Sequence, residues 1–448
     1  SEDTLSYAAE ARLSKFDVHL PRQDDTPLDL AISPAQIAVT GTLATALPEN
    51  IRINGFDVVL AGYGLAAEDI DVELRPGAEA NFARFSVTRF SHRDEPSFLA
   101  PLRLEGHVER RNTAFALDAQ GTAADGRAKF NVNGRIEANG QSGRADFTLP
   151  TLSFQPDGLQ PADLAPALVN LEKVAGTAQV DATATWGPDG VDGEADIGIS
   201  DMDFTSSGIR IEGAQGTLHL SDLVPLTAPG DQIFRIDLID AGLPIRNAQA
   251  QFGLVTPPGG TPVLKIADAS GEVLGGLVRI RDWTFDPLAE QQQVTISVDG
   301  LQLAKLFETI DIEGLSGKGT ISGSVPIVLS SDGVAVAKGS LEAKDDGALS
   351  FRSQEANQVL SQSGEQVDLM MRALKDFRYD ELSLTLDKPM QGDAALTISM
   401  LGHNPDVLDG YPFQFNITLS GDLEPILAAI AKGRRLSSEL LQRSLRLR

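Results

Sequence analysis

The side chains of this 448-residue chain that could do chemistry are few and scattered. Its five histidines, His19, His92, His107, His219 and His403, lie far apart, and none sits beside a paired acidic motif. They read as surface or half-buried sheet residues. Cysteine is absent, which removes disulfides, zinc–thiolate clusters and a thiol nucleophile together. Asp69-Ile70-Asp71 and Asp201-Met202-Asp203 place carboxylates two apart, where a calcium ion could use them. Neither continues into a loop with enough oxygen ligands, so solvent-facing acids on a period of two are the simpler reading. Gly314-Leu315-Ser316-Gly317-Lys318-Gly319-Thr320 has the look of a phosphate loop. That loop needs Ser or Thr directly after the lysine, a helix behind it, and a glycine where this chain has Ile312. Glycines at a strand edge account for the run instead. There is no Gly-x-Ser-x-Gly elbow and no His-Glu-x-x-His. We expect no catalytic residues, no metal site and no cofactor, and hence no enzyme.

The elements that surround these residues are strands. In 314–351, Val325, Ile327 and Leu329 alternate with Ser324, Pro326 and Val328. Val334 and Val336 resume the alternation after Ser331-Asp332-Gly333, and Leu349 and Phe351 follow a second expected turn at Asp345-Asp346-Gly347. A period of two puts an apolar and a polar face on each strand, and Asp-Gly supplies the positive φ of tight hairpins. The same grammar recurs through most of the chain, with about 25–28 strand signals. At about 4.8 Å per strand, one continuous sheet would be on the order of 120–135 Å long. Such a sheet must twist, curl or close. Aromatics are only 6% of residues against 42 glycines, so the apolar face is expected to curl around a trough it cannot fill.

The fold class is therefore mainly β: an elongated, curled antiparallel sheet with a few short helices. Residues 1–160 form the N-terminal part of the groove and 161–422 the rest, with helices expected near 161–174, 301–310 and 354–377. Residues 423–448 read as an amphipathic tail, with Lys432, Arg434, Arg435, Arg443, Arg446 and Arg448 against Glu439 alone in its last stretch. A net charge of −26 argues against nucleic acid as a partner. No run of 18 or more apolar residues is present. Ser1-Glu2-Asp3-Thr4 leads straight into a strand pattern, which reads as an interior cut of a longer precursor.

An ordered series of short motifs adds a resemblance. It comprises Thr177–Trp186 before Gly187-Pro188-Asp189-Gly190, Phe204 followed by Gly208–Gly213, and Leu218-His219-Leu220 with Pro225-Leu226. Leu243-Pro244-Ile245, Leu274-Gly275-Gly276, Leu301–Ala304 and Leu315–Gly319 with Gly323–Pro326 continue it. Leu401–Asp406 with Asp409–Asn416 closes it. Over roughly 165–422 the chain resembles the YdbH family of bacterial envelope proteins, relatives of the AsmA-like, TamB-like β-groove lipid-transfer proteins. Residues 1–160 share only the strand pattern.

The resemblance implies a groove in the Gram-negative periplasm that bridges inner and outer membranes and moves phospholipid. It also implies an inner-membrane anchor that this sequence lacks, and a small outer-membrane lipoprotein that continues the sheet from its last strand. Here that edge is Phe413, Gln414, Phe415, Asn416, Ile417, Thr418 and Leu419, an exposed strand of the kind that accepts another by β-augmentation. The expected groove lining is Phe204, Ile211, Leu218, Leu238, Val325, Ile327, Val336, Leu341, Leu349, Leu384, Ile398 and Phe415. An aspartate at Val325 or Ile327 is expected to stop acyl chains without unfolding the sheet. Two other readings stand beside this one: a structural or assembly scaffold filled by its own side chains, and binding of small dicarboxylates.

Overall fold

The structure, a computed structural model, describes residues 5–421 apart from 21–27, 44–47, 61–63, 77–81, 94–96, 98, 139–140, 189, 207, 224, 259, 311–313, 331–332 and 353–364. The basic tail at 423–448 lies outside the described residues. The described strands form one 27-stranded sheet. Neighbours are antiparallel and mostly consecutive in sequence, as short polar hairpin connections require. The sheet is open. Among the described residues its first strand, Ser6–Leu13, pairs only with Ala35–Thr42, and its last, Pro412–Gly421, only with Ala394–His403.

The alternation seen in sequence becomes two faces that persist from strand to strand. One row of register partners runs Ala9, Val39, Ile51, Leu74, Ala83, Val108, Leu117, Gly134, Ala145, Ala184 and Gly193. Every member is apolar. The adjacent row, on the opposite face, runs Arg52, Glu73, Arg84, His107, Asp118, Asn133, Asp146, Thr183 and Glu194. Every member is polar. A one-residue slip would exchange the faces, so register is specified at each pairing.

Several strands carry apolar residues three apart, which strict alternation would send to opposite faces. β-Bulges keep them in phase. Ile53 and Phe56 stay on one face because Gly55 takes a left-handed conformation between them, and Asp69 does the same for Ala67 and Ile70. Asp201 serves Ile199 and Met202, Gly213 serves Ile211 and Ala214, and Gly300 serves Val298 and Leu301. Each bulge adds one unpaired residue and bends its strand. Their recurrence along the sheet gives it curvature.

Some strands are pieces of longer rungs. Ser6–Leu13 and Phe16–Leu20 lie opposite Ala35–Thr42 and Leu28–Ile32 as one broken hairpin. Leu315–Lys318 and Thr320–Ser330 lie likewise opposite Gly347–Phe351 and Gly333–Ala343. Asp345-Asp346-Gly347 is thus a kink within a rung, where a hairpin turn was expected. The reason lies across the sheet: the Tyr379 phenol fills the space above both Gly319 and Gly347 and donates to the Lys318 carbonyl at 2.9 Å. With the broken rungs joined, about twenty-two rungs at ~4.8 Å each give a sheet on the order of 100 Å long, shorter than the strand signals suggested.

Helix is scarce. Among the described residues the α-helices are α1, Leu303–Ile310, and α2, Glu365–Ala373, the latter running into a 3-10 turn at Leu374–Asp376. The expected helix at 161–174 is instead two 3-10 turns, Pro161–Asp163 and Pro166–Leu168, followed by a strand from Glu172. Pro166 has no N–H to donate and its ring obstructs a helix that would pass through it. The start of the expected helix at 354–377 lies outside the described residues, and Phe377 already begins a strand. No described helix is long and apolar enough to cross a membrane.

Candidate functional site

The feature the fold builds at greatest length is the apolar face. It is not uniform. In the N-terminal and middle rungs many of its side chains, such as Ile53, Phe85, Val132, Phe147 and Val180, are half-buried, between buried ones such as Val87, Phe130, Val174 and Ile211. In the last rungs they are sealed. Val298, Leu301, Ile321, Leu349, Phe377, Leu382, Leu384, Ile398 and Met400 form the largest buried cluster, with Leu303 and Phe307 of α1 among them. A single-layer sheet cannot bury Ile321 to 0% exposure; α1 and Leu374, just beyond α2, supply the second layer. The trough expected to lack filling is therefore filled at its C-terminal end by its own side chains.

Most of the expected lining falls on this face. Leu341, Leu384, Ile398 and Ile417 are successive register partners in the C-terminal cluster. Leu349 stands opposite Phe377 there, and Val325 and Phe415 pack against it. Ile327 and Val336 are partners in a neighbouring cluster with Val294. Phe204 and Ile211 pair within a cluster around Val174 and Met202, and Leu218 belongs to a further one with Leu220 and Leu254. Leu238 is buried, 7% exposed, outside these clusters. It is in register with Glu212 and Arg246, while its neighbour Ile239 stands opposite Ile211 and Ile245 and packs on the cluster that holds Ile211.

One long margin carries covering segments. Residues 155–171 lie over the cluster around Val174, with Leu159, Leu164 and Leu171 packed into it. Gln160 anchors them: its side-chain amide donates to the carbonyls of Leu159 and Val174 and accepts from the Val174 N–H at 2.9 Å. Arg127 adds an ion pair to Asp163 at 3.0 Å. Farther on, Asn404 is buried and donates to the carbonyls of Arg372 and Ala373, closing the C-terminal end of α2.

The polar face holds the residues that drew attention in sequence. Asp69 and Asp201 are bulge residues with φ of 55° and 47°. Asp71 accepts from the Gly55 N–H and Asp203 from the Gly213 N–H, so these carboxylates cap bulges. No metal-ligating group of three is found among the described residues. His219 bonds Asp196 at 2.8 Å on this face. A concavity of about 510 Å3 there is lined by Arg52, Asp71, Glu73, Arg84 and Glu105, whose charges are of both signs. Glu73 is held below the usual carboxylate range by bonds from Asn50 and Arg75, and Asp146 by Arg144 and Thr183.

At the sheet's end, Phe413, Phe415 and Ile417 continue the apolar face opposite Gly402, Met400 and Ile398. Phe413 and Phe415 stack at 5.8 Å, and Phe415 meets Phe377 edge-on at 5.1 Å. Gln414, Asn416 and Thr418 face the polar side opposite Leu401, Ser399 and Thr397, with Thr418 and Thr397 hydroxyls 3.2 Å apart. Leu419 lies opposite Leu396. The outer edge of this strand has no partner among the described residues.

No curated protein and no solved structure matches the chain. A family does, and it extends well beyond the stretch that carried the resemblance in sequence: the YdbH-like family, described as Intermembrane phospholipid transport protein YdbH, matches residues 8–444. An open, apolar-faced sheet matched over nearly its whole length makes this chain a member of the YdbH-like family of phospholipid transport proteins.

Proposed function

We propose that this chain is a passive conduit for phospholipid in the periplasm of a Gram-negative cell, part of a bridge from inner to outer membrane. The carrying observation is the unbroken apolar row from Ala9 to Gly193, half-buried along most of its course. Acyl chains laid along it gain about 25 cal/mol per Å2 of apolar surface removed from water. Head groups stay at the open margin. Such burial is non-directional, so a lipid can slide from rung to rung without crossing a deep well.

The Pro412–Gly421 edge suits a small outer-membrane lipoprotein whose strand would continue the sheet, apolar side chains following Phe413, Phe415 and Ile417. The filled C-terminal cluster favours a second reading, a scaffold that positions other envelope components.

Mass spectrometry of organic extracts from protein purified without detergent separates the two. The conduit is expected to yield at least stoichiometric phospholipid, and a Val180→Asp variant, folded but charged in the open stretch, is expected to lose it. Lipid at background level in the folded wild-type chain would leave the scaffold.

A further inference from the structure

The three covering segments are fastened differently. Residues 155–171 are tied down by the Gln160 amide, the Arg127–Asp163 pair and a bond from the Ala100 N–H to the Leu164 carbonyl. The end of α2 is held by Asn404, and by Ser350 and Arg352 on the Lys375 carbonyl. Among the described residues α1 has one polar tie to the sheet, near its start: the Leu303 N–H donates to the Gly319 carbonyl at 3.1 Å. Among the described residues no side chain of α1 bonds to the sheet; Thr309 bonds only to Lys305 within the helix. What holds α1 is apolar: Leu303 is 0% and Phe307 2% exposed. Gly317 makes the seat, since a Cβ there would come within 2.7 Å of the Phe307 ring.

α1 also sits where an acyl chain must pass. Its two buried side chains share one cluster with Phe377, Leu384, Ile398 and Met400, against which Phe415 of the last strand packs. Gly300 and Gly314, both at positive φ, flank it.

We propose that α1 is an internal gate, closed in this structure, that leaves the apolar face to admit an acyl chain to the terminal strands. The proposal rests on the phospholipid reading. An alkyl chain can replace apolar, non-directional contacts one for another, whereas it cannot replace the hydrogen bonds that fasten 155–171. The helix whose side chains are held by such contacts is the one lipid can displace. Residue 303 opens α1, so a covalent bond from it to the strand that carries Gly317 keeps the helix on the face.

The chain's lack of cysteine makes the test clean. A Cβ at Gly317 would lie 3.3 Å from that of Leu303, close to the ~3.5 Å lower bound for a disulfide. In the full chain carrying Leu303→Cys and Gly317→Cys, a photo-crosslinking phenylalanine analogue is placed at Phe147 or at Phe415, and phospholipid adducts are measured after irradiation in cells. With the cysteines reduced, both probes are expected to label. Oxidation is expected to leave the Phe147 adduct and reduce that at Phe415 to background. In a cysteine-free chain, Phe307→Leu is expected to raise the Phe415 adduct, which keeps the test alive if the double variant does not fold. Labelling at Phe415 that ignores oxidation, or that is missing in the reduced protein while Phe147 labels, overturns the gate. No adduct at Phe147 in any state overturns the lipid reading and the gate with it.

Discussion

Asp201 shows how much of this fold is decided by single backbone conformations. Read as a sequence, it was one of two acids on a period of two; in the structure it is a left-handed bulge residue that holds Ile199 and Met202 on one face. The signal was present as apolar residues three apart with Gly or Asp just before the second, in Ile53–Phe56, Ala67–Ile70, Ile199–Met202, Ile211–Ala214 and Val298–Leu301. A strict two-residue template hides it. Asp201→Gly is expected to leave stability unchanged, since glycine adopts positive φ freely. Asp201→Val should cost about 1–2 kcal/mol in urea unfolding, the steric price of a left-handed Cβ. Equal midpoints for the two would remove the bulge from the account. Tyr379 offers a second test. Burial holds its phenol above the usual tyrosine range, with Asp345 and Asp346 adding to the effect. A raised folded pKa means its stabilising effect is whole below about pH 10 and fades as pH rises through the folded value. Tyr379→Phe should therefore flatten the alkaline loss of stability, as followed by thermal unfolding from neutral pH upward.

Strands were readable one at a time because alternation is local; what they pair with was not. The kink at Asp345-Asp346-Gly347 has the composition of a hairpin, and only Tyr379, arriving from a later strand, makes it the broken rung seen here. The same limit applies to 161–174, where three leucines at helical spacing outweighed Pro166. α2 depends on a partner still farther away. Its last carbonyls are satisfied by Asn404 from the loop before the final strand. Asn404→Ala leaves both without that donor and should cost roughly 1–3 kcal/mol. Hydrogen exchange would show faster amides in 365–376 and unchanged protection in the early rungs, because each rung is stabilised mainly by its neighbours. Uniform loss of protection along the chain would contradict that view of the sheet.

For the whole molecule, composition and period were enough to give an elongated, curled β-sheet, but not whether it stays open or how full its concave side is. Filling depends on which segments return over the face, and α1 and α2 return only at the end. This alters where a charge should be placed to block passage. Ile327 is 1% exposed in a packed cluster, so Ile327→Asp buries a carboxylate without a partner, at a cost of several kcal/mol. Val180, half-buried opposite Leu149 and Ile197, can carry an aspartate that water still reaches. Ile327→Asp is accordingly expected to expose the C-terminal third to limited proteolysis, losing function through unfolding. Val180→Asp should keep the wild-type digestion pattern and circular dichroism while losing bound phospholipid. If Val180→Asp kept its lipid with the fold intact, the acyl chains would not follow the apolar row. If Ile327→Asp stayed protease-resistant, the cluster around Ile327 and Val294 would be open to water.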